Sequence, residues 1–255
     1  MTIFQPSSST LLDYLLHLAD NALILGHRNS EWTGHGPILE QDIAISNIAL
    51  DLVGQARYFY QYAATLRAGS TEDTLAYLRD VREFKNCLLV ELQNGDWAAS
   101  VLRQFFFSAY QYFLFGQLQG SADATIAAIA EKSLKEARYH LRWSSEWVIR
   151  LGDGTAESHA RLGNALSHLW MYTGELTSPA EYELRLADKK IAVNPALIRE
   201  NWMARIDEVF EQAFLEIPVD SWMQSGGKQG QHTEHLGYIL AEMQYLQRAY
   251  PGCEW

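Results

Sequence analysis

The spacing of apolar residues is the sequence feature that most constrains how this chain can fold. Along most of its length, apolar side chains recur every three to four positions, and the alternation typical of β-strands is nearly absent. Helical spacing gives each segment one apolar face, and that face is buried only when it packs against other helices. The sequence therefore predicts an all-α fold.

Capping residues, glycines and prolines divide the periodic regions into helices. The predicted helices run from Ser9 or Thr10 to about Gly26, Leu39 to Arg67, a cap and opening turn at residues 70–73 to Tyr77, Trp97 to Leu118, Ser121 or Asp123 to Leu151, Thr155 to about Glu175, Pro195 to Leu215, and Gln231 to Ala249. A bend near Asp80 and a continuation of the third helix to about Gln93 are left open. Residues 178–194 are the least regular, and residues 225–230 form a glycine-rich loop.

Long helices joined by short turns are typical of antiparallel bundles. Helices of about 22–29 residues suit a ferritin-like bundle better than a globin or a solenoid. Neither a low-complexity linker nor a repeat interrupts the chain. We therefore predict a single ferritin-like helical domain over residues 1–255.

Charge and composition exclude several classes of protein. The net charge is −11, with 31 acidic and 20 basic residues, which disfavours binding to nucleic acid or to anionic lipid. Cys87 and Cys253 are too few for a disulfide scaffold or a cysteine metal site. Residues 1–10 lack the pattern of a secretion signal, and no apolar run approaches a membrane span. We expect a cytoplasmic protein.

Aromatic side chains are concentrated in the helix predicted over residues 97–118. They surround that helix on every side, although a helix in a monomer needs only one apolar face. The residues concerned are Phe105, Phe106, Phe107, Tyr110, Tyr112, Phe113 and Phe115. This surplus predicts either complete burial of the helix or a surface that contacts a partner, and we expect a partner contact there.

A helical bundle of this size raises the question of a di-iron site. Such sites use a Glu-x-x-His pair from each of two helices, because residues three apart share a helical face, and one Glu from each of two others. In the second helix this pattern falls on Leu52 and Gln55. Leucine has no ligand atom and glutamine is a weak substitute for histidine. Asp51 and Gln55 are one turn apart and could form a polar patch instead.

The second Glu-x-x-His position lies near residue 140. A pair that ends on His140 begins with Ala137, and a pair that begins with Glu136 ends on Tyr139, so one ligand is missing in either register. Glu136 and His140 remain one turn apart, which leaves residual metal binding open. Two ligands make a poor site, and we favour a satisfied polar pair with no bound metal and no catalytic residue.

Several segments together carry a resemblance that spans nearly the whole chain. They are Glu31-Trp32, residues 47–57 (NIALDLVGQAR), residues 135–142 (KEARYHLR), residues 226–228 (GGK), residues 232–237 (HTEHLG) and residues 240–248 (LAEMQYLQR). With these motifs the chain resembles the non-catalytic, ferritin-like subunits of bacterial phenylacetyl-CoA oxygenases, the ring 1,2-epoxidases.

The resemblance implies a structural subunit of a multicomponent monooxygenase in phenylacetate degradation. It implies a partner subunit that holds the di-iron centre, and a reductase that supplies electrons from NADPH through flavin and iron–sulfur groups. This chain would form a hetero-oligomer with the di-iron subunit, stabilise it, and carry no cofactor of its own. Leu52, Gln55, Ala137 and His140 would then be vestigial ligand positions, and Asp51 and Glu136 residual polar groups.

The C-terminal motifs allow a structural or a binding interpretation. Residues 226–228 are not a phosphate-binding loop, since Trp222 and Gln229 stand where that loop needs Gly and Ser or Thr. We favour a surface turn over a contact between Lys228 and a CoA phosphate. Residues 232–235 lack the spacing of a zinc site, and a helix cap at Thr233 is favoured. Glu31, beside a turn, is expected to be solvated rather than ligand-like.

Two alternatives remain open from the residues alone. One is a free-standing di-iron carboxylate enzyme with a reduced ligand set drawn from Asp20, Asp51, Glu136 and His140. The other is a homo-oligomeric helical protein without an enzyme partner. The sequence contains no nucleophile elbow and no dinucleotide-binding loop, so nucleophilic or NAD chemistry within this chain has little support.

Overall fold

Two antiparallel helix pairs form the frame of the molecule. The computed structural model describes residues 8–219 and 221–253, and the regular structure within these ranges is entirely helical. Helix α1 (Ser8–Ser30) packs along α2 (Leu39–Thr65), and α5 (Trp97–Leu118) packs along α6 (Ala124–Gly152). The pairs meet through α2 and α6. The predicted all-α ferritin-like bundle is confirmed.

Shorter helices cover the frame. They are α3 (Glu72–Tyr77), α4 (Leu88–Glu91), α7 (Ala156–Leu169), α8 (Gly174–Thr177), α9 (Glu181–Ala187), α10 (Arg199–Gln212), α11 (Glu234–Met243) and α12 (Tyr245–Ala249). Helices α4 and α9 pack on α1, while α7 and α10 pack on α5 and α6. As a result, α1 and α5 lie inside the assembly of helices, and α2 and α6 keep an outer face.

The aromatic residues of α5 belong mainly to the core. Phe105, Phe106, Phe107, Tyr110 and Phe115 are buried. The neighbouring Tyr112 and Phe113 are partly buried and pack against the core. Complete burial is therefore the correct alternative for most of this helix. A partner contact is excluded at the buried aromatic side chains, because α6, α7 and α10 cover α5; at the partly buried Tyr112 and Phe113 it stays a prediction.

Gly26 does not end the first helix, which continues to Ser30. A Cβ atom at Gly26 would lie 3.2 Å from the Ala49 carbonyl oxygen and 3.3 Å from Leu52 Cβ. The glycine thus allows α1 and α2 to approach closely, and its presence reflects packing rather than helix termination.

The short helix predicted through Tyr77 is confirmed as α3, but its continuation to about Gln93 is not observed, because the chain leaves α3 after Tyr77 and forms a 3₁₀ turn and α4 in its place. Arg79 explains the break. Its guanidinium donates to the carbonyl oxygens of Leu75 and Glu83 and forms an ion pair with the buried Asp20 on α1. Side-chain bonds therefore replace the backbone bonds that a helix would make.

Other predicted boundaries shift for similar reasons. Helix α7 ends at Leu169, where a 3₁₀ turn replaces the predicted continuation to Glu175. Residues 178–194, predicted to be irregular, contain α9, whose first turn is capped by the Glu183 carboxylate, an acceptor for the Ala180 amide at 2.7 Å. Pro195 opens a 3₁₀ turn before α10. The last predicted helix divides at Gln244 into α11 and α12.

Three caps are observed where the sequence places them. Asp123 accepts from the backbone amides of Thr125 and Ile126 at the start of α6. Thr155 caps α7, and Thr233 caps α11 by accepting from the amide of His235. The structural interpretation of residues 232–235 is confirmed for this cap.

Among the described residues, no helix is both long enough and apolar enough to cross a membrane. The expectation about a secretion signal concerns residues 1–10, of which residues 1–7 lie outside the described ranges. The prediction of one domain over residues 1–255 stays a prediction.

Candidate functional site

Polar residues at and beside the predicted ligand positions meet where α2 faces α6. His140 Nε2 lies 2.9 Å from Asp51 Oδ2, and it is the donor because a carboxylate only accepts. One turn along, Gln55 Nε2 donates to Glu136 Oε2 at 2.9 Å. Gln111 on α5 donates from its Nε2 to Gln55 Oε1, also at 2.9 Å. We call these five residues the α2–α6 seam.

The seam differs from both local pairings considered for the sequence. Asp51 and Gln55 are one turn apart on α2, but each pairs with the facing helix instead. Glu136 and His140 are likewise bonded to α2 rather than to each other. The polar residues therefore bond across the helix interface, which ties the two halves of the bundle together.

Leu52 and Ala137 occupy the carboxylate positions of the two Glu-x-x-His patterns. Both side chains are fully buried in the core. Neither contains an atom that can ligate a metal. Gln55 supplies only an amide, and its oxygen and nitrogen are both used within the seam.

The donor set does not fit a di-iron centre, which needs four carboxylates to hold two irons. Glu136 and the partly exposed Asp51 are the two carboxylates of the seam, and each already accepts a hydrogen bond. His140 Nδ1 and Gln111 Oε1 are buried without a hydrogen-bond partner in the described part of the chain. Within those residues, no three His, Cys, Asp or Glu side chains cluster closely enough to bind a metal.

Asp20, the remaining acid of the alternative ligand set, lies in a separate buried cluster. Its carboxylate accepts from Tyr60 Oη at 2.5 Å and from the Lys85 amide at 2.8 Å, and it pairs with the guanidinium of Arg79. Both carboxylate oxygens are thus occupied. The cluster joins α1 to the segment after α3, and it does not meet the seam residues through any of these bonds.

Comparisons with known proteins identify the family of the chain. The model of the family described as "Phenylacetic acid catabolic protein" matches residues 2–255. The chain belongs to this family. It is also 48% identical over 245 residues to one of the subunits of the 1,2-phenylacetyl-CoA epoxidase of Escherichia coli (strain K12). That alignment covers 96% of this chain and 99% of the relative. The resemblance found in the sequence motifs is therefore confirmed.

The glycine-rich loop of this family member is not a surface turn. Lys228 is 1% exposed, and its Nζ donates to Glu183 Oε2 at 2.8 Å and to the Ser178 carbonyl at 2.9 Å. The surface-turn prediction is wrong because a partner 45 residues earlier in the sequence holds the lysine inside the fold. Its ammonium is consequently unavailable to a CoA phosphate in this structure.

Glu175 holds the backbone of the same loop. One carboxylate oxygen accepts from the amides of Gly226 and Lys228 at 3.0 and 3.2 Å, and the other accepts from the amide of Leu88 at 2.8 Å. A buried carboxylate bound by backbone amides is well stabilised. Through Glu175, the loop is therefore held against α8 and the start of α4.

His17 lies beside the buried ion pair of Lys228 and Glu183. Its Nε2 lies 3.7 Å from Glu183 Oε1, and its Nδ1 lies 2.7 Å from the Lys85 carbonyl oxygen. Burial lowers the pKa of His17 to about 4, although the charge of Glu183 opposes the shift. His17 is thus neutral at neutral pH.

Glu91 and His232 form a second buried pair. His232 Nδ1 lies 2.8 Å from Glu91 Oε2, and its Nε2 lies 2.9 Å from the Phe84 carbonyl oxygen. Both ring nitrogens face acceptors, an arrangement that favours the doubly protonated, cationic ring. Burial lowers the pKa of His232, but the hydrogen bond and charge of Glu91 outweigh it, and the pKa is raised above the usual value.

Glu31 is partly exposed, as expected beside a turn. It is not fully solvated, however, because it forms an ion pair with Arg28 at 2.8 Å and accepts from Asn94 at 2.8 Å. These bonds connect the end of α1 to the turn before α5. Its role is structural in this arrangement.

Sequence reasoning missed Gln111 and the buried acids Glu91, Glu175 and Glu183. Gln111 gave a faint signal, since it is one of two polar interruptions in the aromatic run 105–115. The three acids gave none, because their partners lie far away in the sequence. Only the tertiary fold shows that they are buried.

Proposed function

We propose that this chain is a non-catalytic, structural subunit of a multicomponent phenylacetyl-CoA 1,2-epoxidase in aerobic phenylacetate degradation. It docks onto the di-iron catalytic subunit of the same complex and stabilises it. The complex assembles in the cytoplasm as a hetero-oligomer, and this chain contributes scaffold and interface to it.

The seam carries this proposal. The helices that present metal ligands in a di-iron bundle are retained as α2 and α6. Leu52 and Ala137 replace two of the carboxylates, and the surviving polar residues bond to one another across the interface. A scaffold that keeps the helices but lacks the donor atoms is better suited to a structural role than to oxygen chemistry.

The reaction belongs to the complex as a whole. Molecular oxygen and NADPH convert the aromatic ring of the thioester into an epoxide, with iron in the partner subunit and flavin and iron–sulfur groups in the reductase. The name of the Escherichia coli relative, which belongs to a 1,2-phenylacetyl-CoA epoxidase, supports this assignment. The proposal assigns no substrate contact to the described residues of this chain.

Co-expression with and without this chain tests the docking role. We expect the di-iron subunit to co-purify with this chain at a fixed ratio, and to lose solubility or thermal stability when this chain is omitted. A di-iron subunit that remains stable alone and does not co-purify would contradict the proposal.

The alternative of a free-standing di-iron enzyme makes a different prediction. Elemental analysis of the isolated chain, expressed with added iron, would find about two irons per chain if the alternative were correct. We expect far less than one. An oxo-bridged absorption band from the isolated chain would likewise favour the alternative.

A further inference from the structure

The outer side of α2 carries exposed apolar residues on one helical face. Leu39 and Leu50 are 71% and 70% exposed, and Ile43 is also exposed. Positions 39, 43 and 50 lie on one side of a helix, since they are separated by close to whole turns. Three large apolar side chains aligned along one helix form a patch that water solvates poorly, which is typical of an interaction surface.

The neighbouring side of α6 is basic. Lys135, Arg138 and Arg142 are exposed on it, and Arg142 lies over the ring of the exposed Tyr139, 5.7 Å from its centroid. Residues 132–142 carry four basic residues and one acidic residue, a local charge of +3 within a chain of net charge −11. The exposed Glu131 and Glu146 flank this segment, so the reversal of the protein's overall charge is confined to residues 132–142.

The two surfaces are continuous. Asp51 and Gln55 on α2 bond to His140 and Glu136 on α6, so the helices lie side by side and their outer sides form one face. Asp51 is partly exposed at the border between them. We call this surface the α2–α6 outer face and define it by Leu39, Ile43, Leu50, Lys135, Arg138, Tyr139 and Arg142.

The charge of this face indicates which kind of protein surface binds to it. In a two-fold contact between copies of the chain with Lys135, Arg138 and Arg142 near the axis, these cations would meet their own counterparts and repel one another. An apolar stripe bordered by cations instead complements a surface with apolar side chains and carboxylates. We propose that the α2–α6 outer face docks a carboxylate-bearing helical surface of the di-iron subunit; this inference rests on the proposed function.

A second exposed apolar patch serves as the matched control. Tyr238 on α11 and Tyr245 on α12 are 65% and 62% exposed, close to the value for Leu50. The groove beside them is lined mainly by apolar residues, and its one cation, Arg248, is paired with Asp80 at 3.1 Å. Substitutions at these tyrosines introduce the same chemical change at a different surface.

The experiment measures binding of the purified di-iron subunit to purified full-length variants of this chain. We expect Ile43→Glu/Leu50→Glu to raise the Kd about tenfold or more, because it places two carboxylates in an apolar contact. Lys135→Glu/Arg142→Glu should weaken binding and reduce its dependence on salt. Tyr238→Glu/Tyr245→Glu and the exposed-site control Arg67→Glu should bind as the wild type does. Thermal melting verifies that each variant is folded.

The possible failures are distinguishable. If the wild-type chain does not bind the di-iron subunit, the proposed function is contradicted. If the wild type binds and the Ile43/Leu50 and Lys135/Arg142 variants bind equally well, only the assignment of this face is wrong. Loss of binding in the Tyr238/Tyr245 variant alone would move the interface to α11 and α12. Salt-sensitive capture of phosphatidylglycerol vesicles by the wild type, lost in the Lys135/Arg142 variant, would assign the face to an anionic membrane and overturn the proposal.

Discussion

His140 on α6 donates from Nε2 to a carboxylate oxygen of Asp51 on α2, over 2.9 Å. A metal-binding histidine would direct a ring nitrogen towards the space between the helices, whereas here that nitrogen binds the facing helix directly. The neighbouring Gln55–Glu136 bond repeats the pattern one turn away. Helices α2 and α6 are thus joined through Gln55 and His140, which occupy the histidine positions of the two patterns, and through the neighbouring acids Glu136 and Asp51.

Removal of the central amide of the seam should be costly. Gln55→Leu deprives Glu136 of a donor and Gln111 of an acceptor, which leaves polar groups unpaired in the interior. We expect the free energy of unfolding to fall by about 1–3 kcal/mol. Urea denaturation measures the change. Gln61→Leu on the exposed side of α2 is the control and should alter stability by less than about 0.5 kcal/mol. If the two variants lost the same amount of stability, the hydrogen bonds of Gln55 would not stabilise the fold.

Loss of the buried Lys228 should lower the free energy of unfolding more when Glu183 keeps its charge than when that charge is also removed. Lys228→Met leaves the Glu183 carboxylate buried without its cation, and we expect a loss of about 3–5 kcal/mol. The double variant Lys228→Met/Glu183→Gln removes both charges and should recover part of that loss. Chemical denaturation of the wild type, Lys228→Met, Glu183→Gln and the double variant gives the coupling energy. Strictly additive effects would argue against the pair.

Two glycines should respond to alanine with opposite signs. A Cβ atom at Gly227 would overlap the carbonyl oxygen of Asn86, a backbone atom that cannot move freely. Gly227→Ala should therefore destabilise the protein by about 2 kcal/mol or more. A Cβ atom at Gly237 within α11 meets nothing within 4 Å, so Gly237→Ala should stabilise it by about 0.5–1 kcal/mol. Thermal melts of both variants check the prediction, and a harmless Gly227→Ala would contradict it.

The His232–Glu91 pair should make stability depend on pH. The pKa of His232 is raised in the folded state, so the folded protein holds the proton more tightly than the unfolded chain does. The resulting stabilisation is complete below the usual histidine pKa and is lost as the pH rises through the raised value. His232→Gln should therefore cost most at about pH 6 and less at about pH 9. Denaturation midpoints across that range test this, with the exposed His35→Gln as the control variant.

The long helices could be predicted from the sequence because their apolar periodicity is local information. Helix α5 begins at Trp97 and ends at Leu118, as predicted. Helix α6 is capped by Asp123, one of the two residues predicted for that role. The replaced ligand positions could also be located, since the i, i+3 spacing needs only a helix. That Leu52 and Ala137 face the interior then follows from the bundle.

The remaining features depend on distant contacts. Arg79 interrupts the chain because Asp20, 59 residues away, binds its guanidinium. Lys228 is buried because Glu183 and the Ser178 carbonyl receive it. Helix α9 is too short, at seven residues, for its periodicity to be recognised. In each case the deciding partner is absent from the local sequence.

The central claim is that this chain supports catalysis without performing it. The most direct measurement is the rate of phenylacetyl-CoA oxidation with NADPH, oxygen and the reductase, using this chain alone, the di-iron subunit alone, and both together. We predict turnover with both subunits, no turnover with this chain alone, and a strongly reduced rate with the di-iron subunit alone. Turnover by this chain and the reductase without the di-iron subunit would contradict the account.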